Sequence, residues 1–293
     1  MSSTITDGLL AEQTRLCKEQ LALLLQPLTA QALDIAVAPE TMSLAASGDL
    51  IAIETAGRCL AVEEGRLIEK IIIAIARRCP DWQLLTGLKL PILPVAAELA
   101  KRNRLHEYSR LSVDPTGESR SAYHPDVVLV SSSRKSAIVV DVKRSLAGYG
   151  GSGSLAKLQK LMEAAACILP ELLWRDHQRT VIETVGIAII DASRTSLDID
   201  DGIWGLGRLD DLLDVSGSGA AAQSAIEAFR EGIKVRWRIA VASGASDTPD
   251  VTATARRPAE HEEPRRKRGR PRKDDTPSAV TVGLYRPALK RLH

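Results

Sequence analysis

Residues 124 to 145, HPDVVLVSSSRKSAIVVDVKRS, constrain the fold more than any other stretch of the chain. Two runs of β-branched and aliphatic residues flank the polar segment SSSRKS, the pattern of a β-hairpin. A carboxylate stands at the far end of each run, Asp126 and Asp141, and Lys143 follows two positions after the second. Residues two apart in a strand share a face, so Asp141 and Lys143 project together while Val140 and Val142 point the other way. With a turn centred near Ser133 and Arg134, an antiparallel hairpin sets Asp126 opposite Asp141. Directly opposed side chains approach to about 5 Å. Two carboxylates at that distance repel each other unless a positive charge lies between them. A divalent cation with oxygen ligands fits that role, and Mg²⁺ suits carboxylates, water and phosphate oxygens together. A lysine beside them can hold a phosphate, or orient and help activate a water.

The flanking sequence predicts the elements around this hairpin. Leucines at helical spacing over residues 5 to 26 predict an amphipathic helix, with Thr6 or Asp7 as its N-cap. Residues 27 to 57 carry little signal. A second helix is expected over residues 60 to 79, stopped by Pro80, and strand-like residues follow near 82 to 93. Residues 96 to 108 read as helical or irregular, and SVDPTGESRS reads as a loop. After the hairpin, Gly148, Gly150, Gly151 and Gly153 make a flexible loop, a candidate flap near a phosphate. SLAKLQKLMEAAACILPELLWRD is a helix with Ser154 as N-cap and a disturbance at Pro170. TVIETVGIAIIDAS is apolar enough for a central strand. SAIEAFREGIKVRWRIA reads as a helix running into a strand. The order helix, strand, strand, strand, helix, strand predicts an α/β fold around a mixed sheet.

The chain of 293 residues is 44% hydrophobic, ample for a buried core. It has no apolar run of the roughly 18 residues that span a bilayer. MSSTITDGLLAEQ lacks the basic-then-apolar pattern of a secretory leader, so none is expected. Cys17, Cys59, Cys79 and Cys167 are scattered without a CxxC pair, which predicts reduced structural thiols rather than a disulfide frame or a zinc site. The P-loop lysine motif, GxSxG and HExxH are all absent.

The hairpin carboxylates and lysine resemble the PD-(D/E)xK nuclease superfamily, which has the restriction-endonuclease-like fold. The matching residues are Pro125-Asp126 and Asp141-Val142-Lys143, and the resemblance covers about residues 60 to 192. It implies an αβββαβ core with a central mixed sheet. It also implies that Asp126 and Asp141 bind Mg²⁺, for which Mn²⁺ can substitute, and that Lys143 serves the attacking water. The family often adds a glutamate from the preceding helix. Glu63, Glu64 and Glu69 are the candidates, and Glu69 is preferred because it lies within an apolar run. Gln159 matches a polar residue that some members use on the following helix. His124 reads as structural or a phosphate contact, and Tyr149 as a loop residue.

Charge is distributed unevenly. Residues 251 to 293 hold 12 basic and 5 acidic residues, against 27 and 32 in the remainder. An acidic body with a basic tail points to an anionic partner gripped by the tail. Within RRKRGRPRKDD, residues 265 to 275, Gly269-Arg270-Pro271 flanked by basic residues resembles an AT-hook. Pro271 holds the backbone extended and Gly269 adds no side chain, so a thin ribbon can enter a narrow A·T-rich minor groove. The enhanced negative potential there draws in arginines, here Arg268, Arg270 and Arg272.

Three regions are expected: a helical segment over 1 to 58, a nuclease-like domain over 59 to 242, and a disordered tail over 243 to 293 with the hook at 265 to 273. The expected function is a Mg²⁺-dependent DNA endonuclease tethered to A·T-rich duplex, in restriction, defence or mobile-element processing. The alternative is a catalytically inactive nuclease-fold protein that binds DNA in an architectural or regulatory role. The leucine-rich N-terminal helix serves either core packing or a homodimer. A bacterial host predicts a cytoplasmic, nucleoid-associated protein, and a eukaryotic host a nuclear one.

Overall fold

The computed structural model describes residues 2–47, 49–119, 121–149, 153–177, 179–193 and 202–246. The chain divides into two units, Met1–Thr248 and Pro249–His293, and every described residue lies in the first. The hook residues Arg268, Gly269, Arg270, Pro271 and Arg272 lie outside the described residues.

The chain opens with three helices, α1 (Ser2–Ala36), α2 (Pro39–Ala46) and α3 (Leu50–Ala76). Two short strands follow, β1 (Gln83–Leu85) and β2 (Leu90–Ile92), then α4 (Pro94–Arg102) and α5 (Leu105–Tyr108). Next come β3 (Ser121–Tyr123), β4 (Val127–Ser131) and β5 (Ser136–Lys143). The helices α6 (Ser154–Ala166) and α7 (Leu169–Asp176) lead to β6 (Thr184–Asp191) and β7 (Ile203–Gly205). The described chain ends with α8 (Leu209–Leu213) and α9 (Ser218–Ser246).

The sheet is mixed and five-stranded, in the order β1-β4-β5-β6-β7. β1 and β5 each pair antiparallel with β4, whereas β5, β6 and β7 run parallel. The α/β class and mixed sheet are present; along the chain α3 precedes β1, then β2, α4, α5 and β3 intervene before β4 and β5, and α6 and α7 precede β6. Alternation along the strands divides the interior into two cores. Val127, Leu129, Val140, Val142, Ala188 and Ile190 face a layer made by α1, α3, α8 and α9. Val128, Val130, Ala137, Val139 and Ile189 face α4, α6, α7 and the small antiparallel β2–β3 sheet.

Several expectations are corrected. The first helix passes Pro27 and ends at Ala36, and its first turn precedes Thr6 and Asp7, so neither caps it. Leu21, Leu25, Ala32 and Ala36 are buried, and that packing carries the helix through the proline. The N-cap of α3 is Asp49, whose carboxylate accepts the N–H of Ile51 at 3.1 Å. The helix therefore runs unbroken across the boundary expected at residue 58, and the N-terminal helices share one core with the sheet. The expected strand over 82 to 93 is two strands in two different sheets. The N-cap of α6 is Gly153 at φ +68°, not Ser154. KVRWRIA is helical throughout, and α9 continues past the boundary expected at 243.

No single helix among the described residues is long and apolar enough to cross a membrane. Cys17–Ala36 and α2 meet that test only as a pair bent by 53°.

Candidate active site

β4 and β5 pair in the register Val127↔Val140 through Ser131↔Ser136. Continued one step outward, this register sets Asp126 against Asp141, as the hairpin symmetry predicts. Asp141 lies near the end of β5 with only 4% of its surface exposed. The Tyr123 hydroxyl donates to Asp141 Oδ2 at 2.6 Å, and the Lys143 ammonium meets Oδ1 directly. Across the ladder, Val142 N–H donates to Asp126 Oδ2 at 2.6 Å. Asp141 Oδ1 is buried and accepts no regular hydrogen bond, so among the described residues the ammonium is its counter-charge.

Glu69 lies on α3 and makes no hydrogen bond or ion pair with the hairpin residues, but their charges act on it. Burial raises its carboxyl above the usual range, the charges of Asp126 and Asp141 push it further, and Lys143 opposes them. Glu69 thus lies within electrostatic reach of all three hairpin residues. Burial also raises Asp126, the Val142 N–H opposes that shift, and Asp141 adds to it. Burial works against the Lys143 ammonium, but its bond to Asp141 and the charges of Asp141 and Asp126 hold its pKa above the usual lysine value. The lysine is therefore a fixed cation here, not a free amine.

The other two glutamates of α3 are engaged elsewhere. Glu63 pairs with Arg66. Glu64 accepts from Arg230 of α9 at 2.6 Å and meets Arg144 at 3.5 Å. Gln159 lies on α6, which packs on the sheet face opposite α3. It lines a cleft of about 930 Å³ with Arg104, Lys160, Glu163 and Gly186, and none of Glu69, Asp126, Asp141 or Lys143 borders that cleft. His124 is exposed beside the buried Pro125. Tyr149 sits in a short 3₁₀ turn, Ala147–Tyr149.

Two residues of this region were not singled out from the sequence. Tyr123 belongs to a three-residue strand whose partner is β2, with Leu90 opposite it. Its place beside Asp141 depends on a pairing that local pattern does not reveal. Asp191 ends β6 opposite Lys143 and is fully buried. Its carboxylate accepts the N–H of Ser193 at 2.9 Å and of Leu146 at 3.3 Å, and so fixes the chain as it leaves β5. A carboxylate closing an apolar strand was the available signal.

Carboxylate oxygens are the donor type a hard divalent cation takes. Glu69, Asp126 and Asp141 are oxygen donors, two of them with raised pKa, and Asp141 Oδ1 is buried without a regular donor. Among the described residues, no group of three or more His, Cys, Asp and Glu side chains is spaced to hold a metal. The Lys143 ammonium stands among the carboxylates and supplies positive charge there. No family model, curated protein or solved structure matches the chain.

Proposed function

We propose that this chain is a metal-dependent endodeoxyribonuclease of the PD-(D/E)xK type, with a restriction-endonuclease-like core. One observation carries the reading. Asp126 and Asp141 stand opposite each other at the end of the hairpin ladder, with Lys143 on Asp141 and the Val142 N–H on Asp126, and their charges act on Glu69 of α3. Carboxyls perturbed by burial and by one another gather at functional sites.

In this reading Asp126, Asp141 and Glu69 hold Mg²⁺ or Mn²⁺. When bound, the ion supplies Lewis acidity toward a phosphoryl oxygen and lowers the pKa of a water. Lys143, kept protonated by Asp141 and Asp126, donates to a non-bridging phosphate oxygen and orients the attacking water as a cation rather than as a base. In-line attack forms a new P–O bond and breaks the bond to the 3′ oxygen, leaving 5′-phosphate and 3′-hydroxyl ends. The hook residues Arg268, Arg270 and Arg272 raise the local concentration of A·T-rich duplex.

The contact between Lys143 and Asp141 favours a second reading, in which the ion pair is permanent and the protein binds DNA without cutting it. End-labelled A·T-rich duplex incubated with Mg²⁺ separates the two. The nuclease reading predicts fragments with ligatable 5′-phosphates, absent for Asp141→Asn. Intact duplex with tight binding by both proteins supports the second reading.

A further inference from the structure

We infer that Tyr123 is a positioning residue that restricts Asp141 to one metal-facing oxygen, an inference that rests on the nuclease reading above. The short chain from Ser121 to Asp126 touches β5 at two successive residues. Tyr123 Oη donates to Asp141 Oδ2 at 2.6 Å, and Asp126 Oδ2 accepts from Val142 N–H at 2.6 Å. Each carboxylate therefore has one oxygen taken by a fixed donor. The second oxygen of Asp141, Oδ1, is buried against the Lys143 ammonium, which a metal would have to displace, and on Asp126 no described residue donates to Oδ1.

Tyr123 is well placed to hold its partner still. It is 6% exposed, belongs to the core shared with α6, and sits on a strand pinned by the register Leu90↔Tyr123. A phenol anchored in a separate small sheet fixes both the rotamer of Asp141 and the oxygen it presents. Outer partners that orient a metal-binding carboxylate typically change metal affinity about 10- to 100-fold when removed.

The test is calorimetric titration of the full-length protein with Mn²⁺, without DNA, for wild type, Tyr123→Phe and Asp141→Asn. Thermal unfolding of the metal-free proteins runs alongside. The expected result is a specific isotherm for wild type, none for Asp141→Asn, and about tenfold weaker binding for Tyr123→Phe with its metal-free fold retained. Equal affinity of wild type and Tyr123→Phe overturns the role of Tyr123 and leaves the metal site standing. Identical isotherms for wild type and Asp141→Asn overturn the metal site and the inference together. If Tyr123→Phe does not fold, the near-ultraviolet tyrosine spectrum of wild type on adding Mg²⁺ decides. A metal-dependent tyrosine shift, absent in Asp141→Asn, supports the coupling, and Mn²⁺ binding with an unchanged tyrosine spectrum overturns it.

Discussion

Asp126 accepts the backbone N–H of Val142 at 2.6 Å, and so ties the carboxylate before β4 to the residue between Asp141 and Lys143. The bond does two things. It satisfies an N–H at the end of β5, and it fixes the spacing of the two hairpin carboxylates.

Substitutions at Asp126 should separate these roles. Asp126→Asn keeps an acceptor for Val142 but loses the charge, so the protein should fold with stability equal to or above wild type and bind Mn²⁺ about tenfold more weakly or worse. Asp126→Leu removes the acceptor as well and should destabilise the protein by about 1–3 kcal/mol, the usual penalty for a buried unpaired N–H. Thermal unfolding and metal titration check both.

The pH dependence follows from the raised carboxyls of Glu69 and Asp126. Their folded values lie above the unfolded ones, so ionisation is less favourable in the folded chain. Their penalty is fully present above the folded pKa values. It fades as pH falls through them and vanishes below the ordinary values of 4.5 and 3.8. Glu69→Gln should therefore raise the melting temperature of the metal-free protein near neutral pH, with the gain shrinking toward acid. Metal affinity should move oppositely in wild type, rising with pH as the carboxyls lose their protons. A melting temperature for Glu69→Gln equal to wild type at every pH would remove Glu69 from the cluster.

Lys143 makes a different prediction. Its raised pKa means that the pair with Asp141 adds stability below the ordinary lysine value of 10.5, and that this is lost as pH rises through the folded value. Lys143→Ala leaves Asp141 Oδ1 without its ammonium. The metal-free variant should melt lower than wild type. Added Mg²⁺ should raise its melting temperature more than it raises that of wild type, because the ion no longer competes with the ammonium. Calorimetric melting with and without Mg²⁺ measures this directly.

The tail should act independently of the cluster. Arg270→Ala should weaken binding to A·T-rich duplex and lower the slope of log affinity against log salt by about 0.9 for each phosphate that is no longer neutralised. Cleavage at saturating DNA should be unchanged. Fluorescence anisotropy at several salt concentrations tests the first part and single-turnover cleavage the second.

The parts of the site that were legible in the sequence are those set by local pattern. Period-two alternation and a polar turn were enough to place Val140 and Val142 on one face and Asp141 with Lys143 on the other. Glu69 stood out as a charge within the apolar run of α3. What was hidden depends on distant pairing. β3 and β7 have three residues each and exist because β2 and β6 lie beside them, so Tyr123 gave no local signal. The same alternation that revealed the hairpin misled in KVRWRIA. Val235 and Ile239 alternate with Lys234, Arg236 and Arg238, but the segment has no strand partner among the described residues and continues a helix anchored by the buried Ile226 and Phe229. In the helix Val235 and Ile239 lie one turn apart and exposed.

The central claim is that the hairpin carboxylates and Lys143 form a cutting site. Supercoiled plasmid incubated with the full-length protein in Mg²⁺, Mn²⁺ or EDTA, beside Lys143→Ala prepared in the same way, tests it most directly. The account predicts nicked and linear products for wild type with either metal, none with EDTA, and none for Lys143→Ala. Cutting by Lys143→Ala at the wild-type rate, or cutting that persists in EDTA, would contradict it.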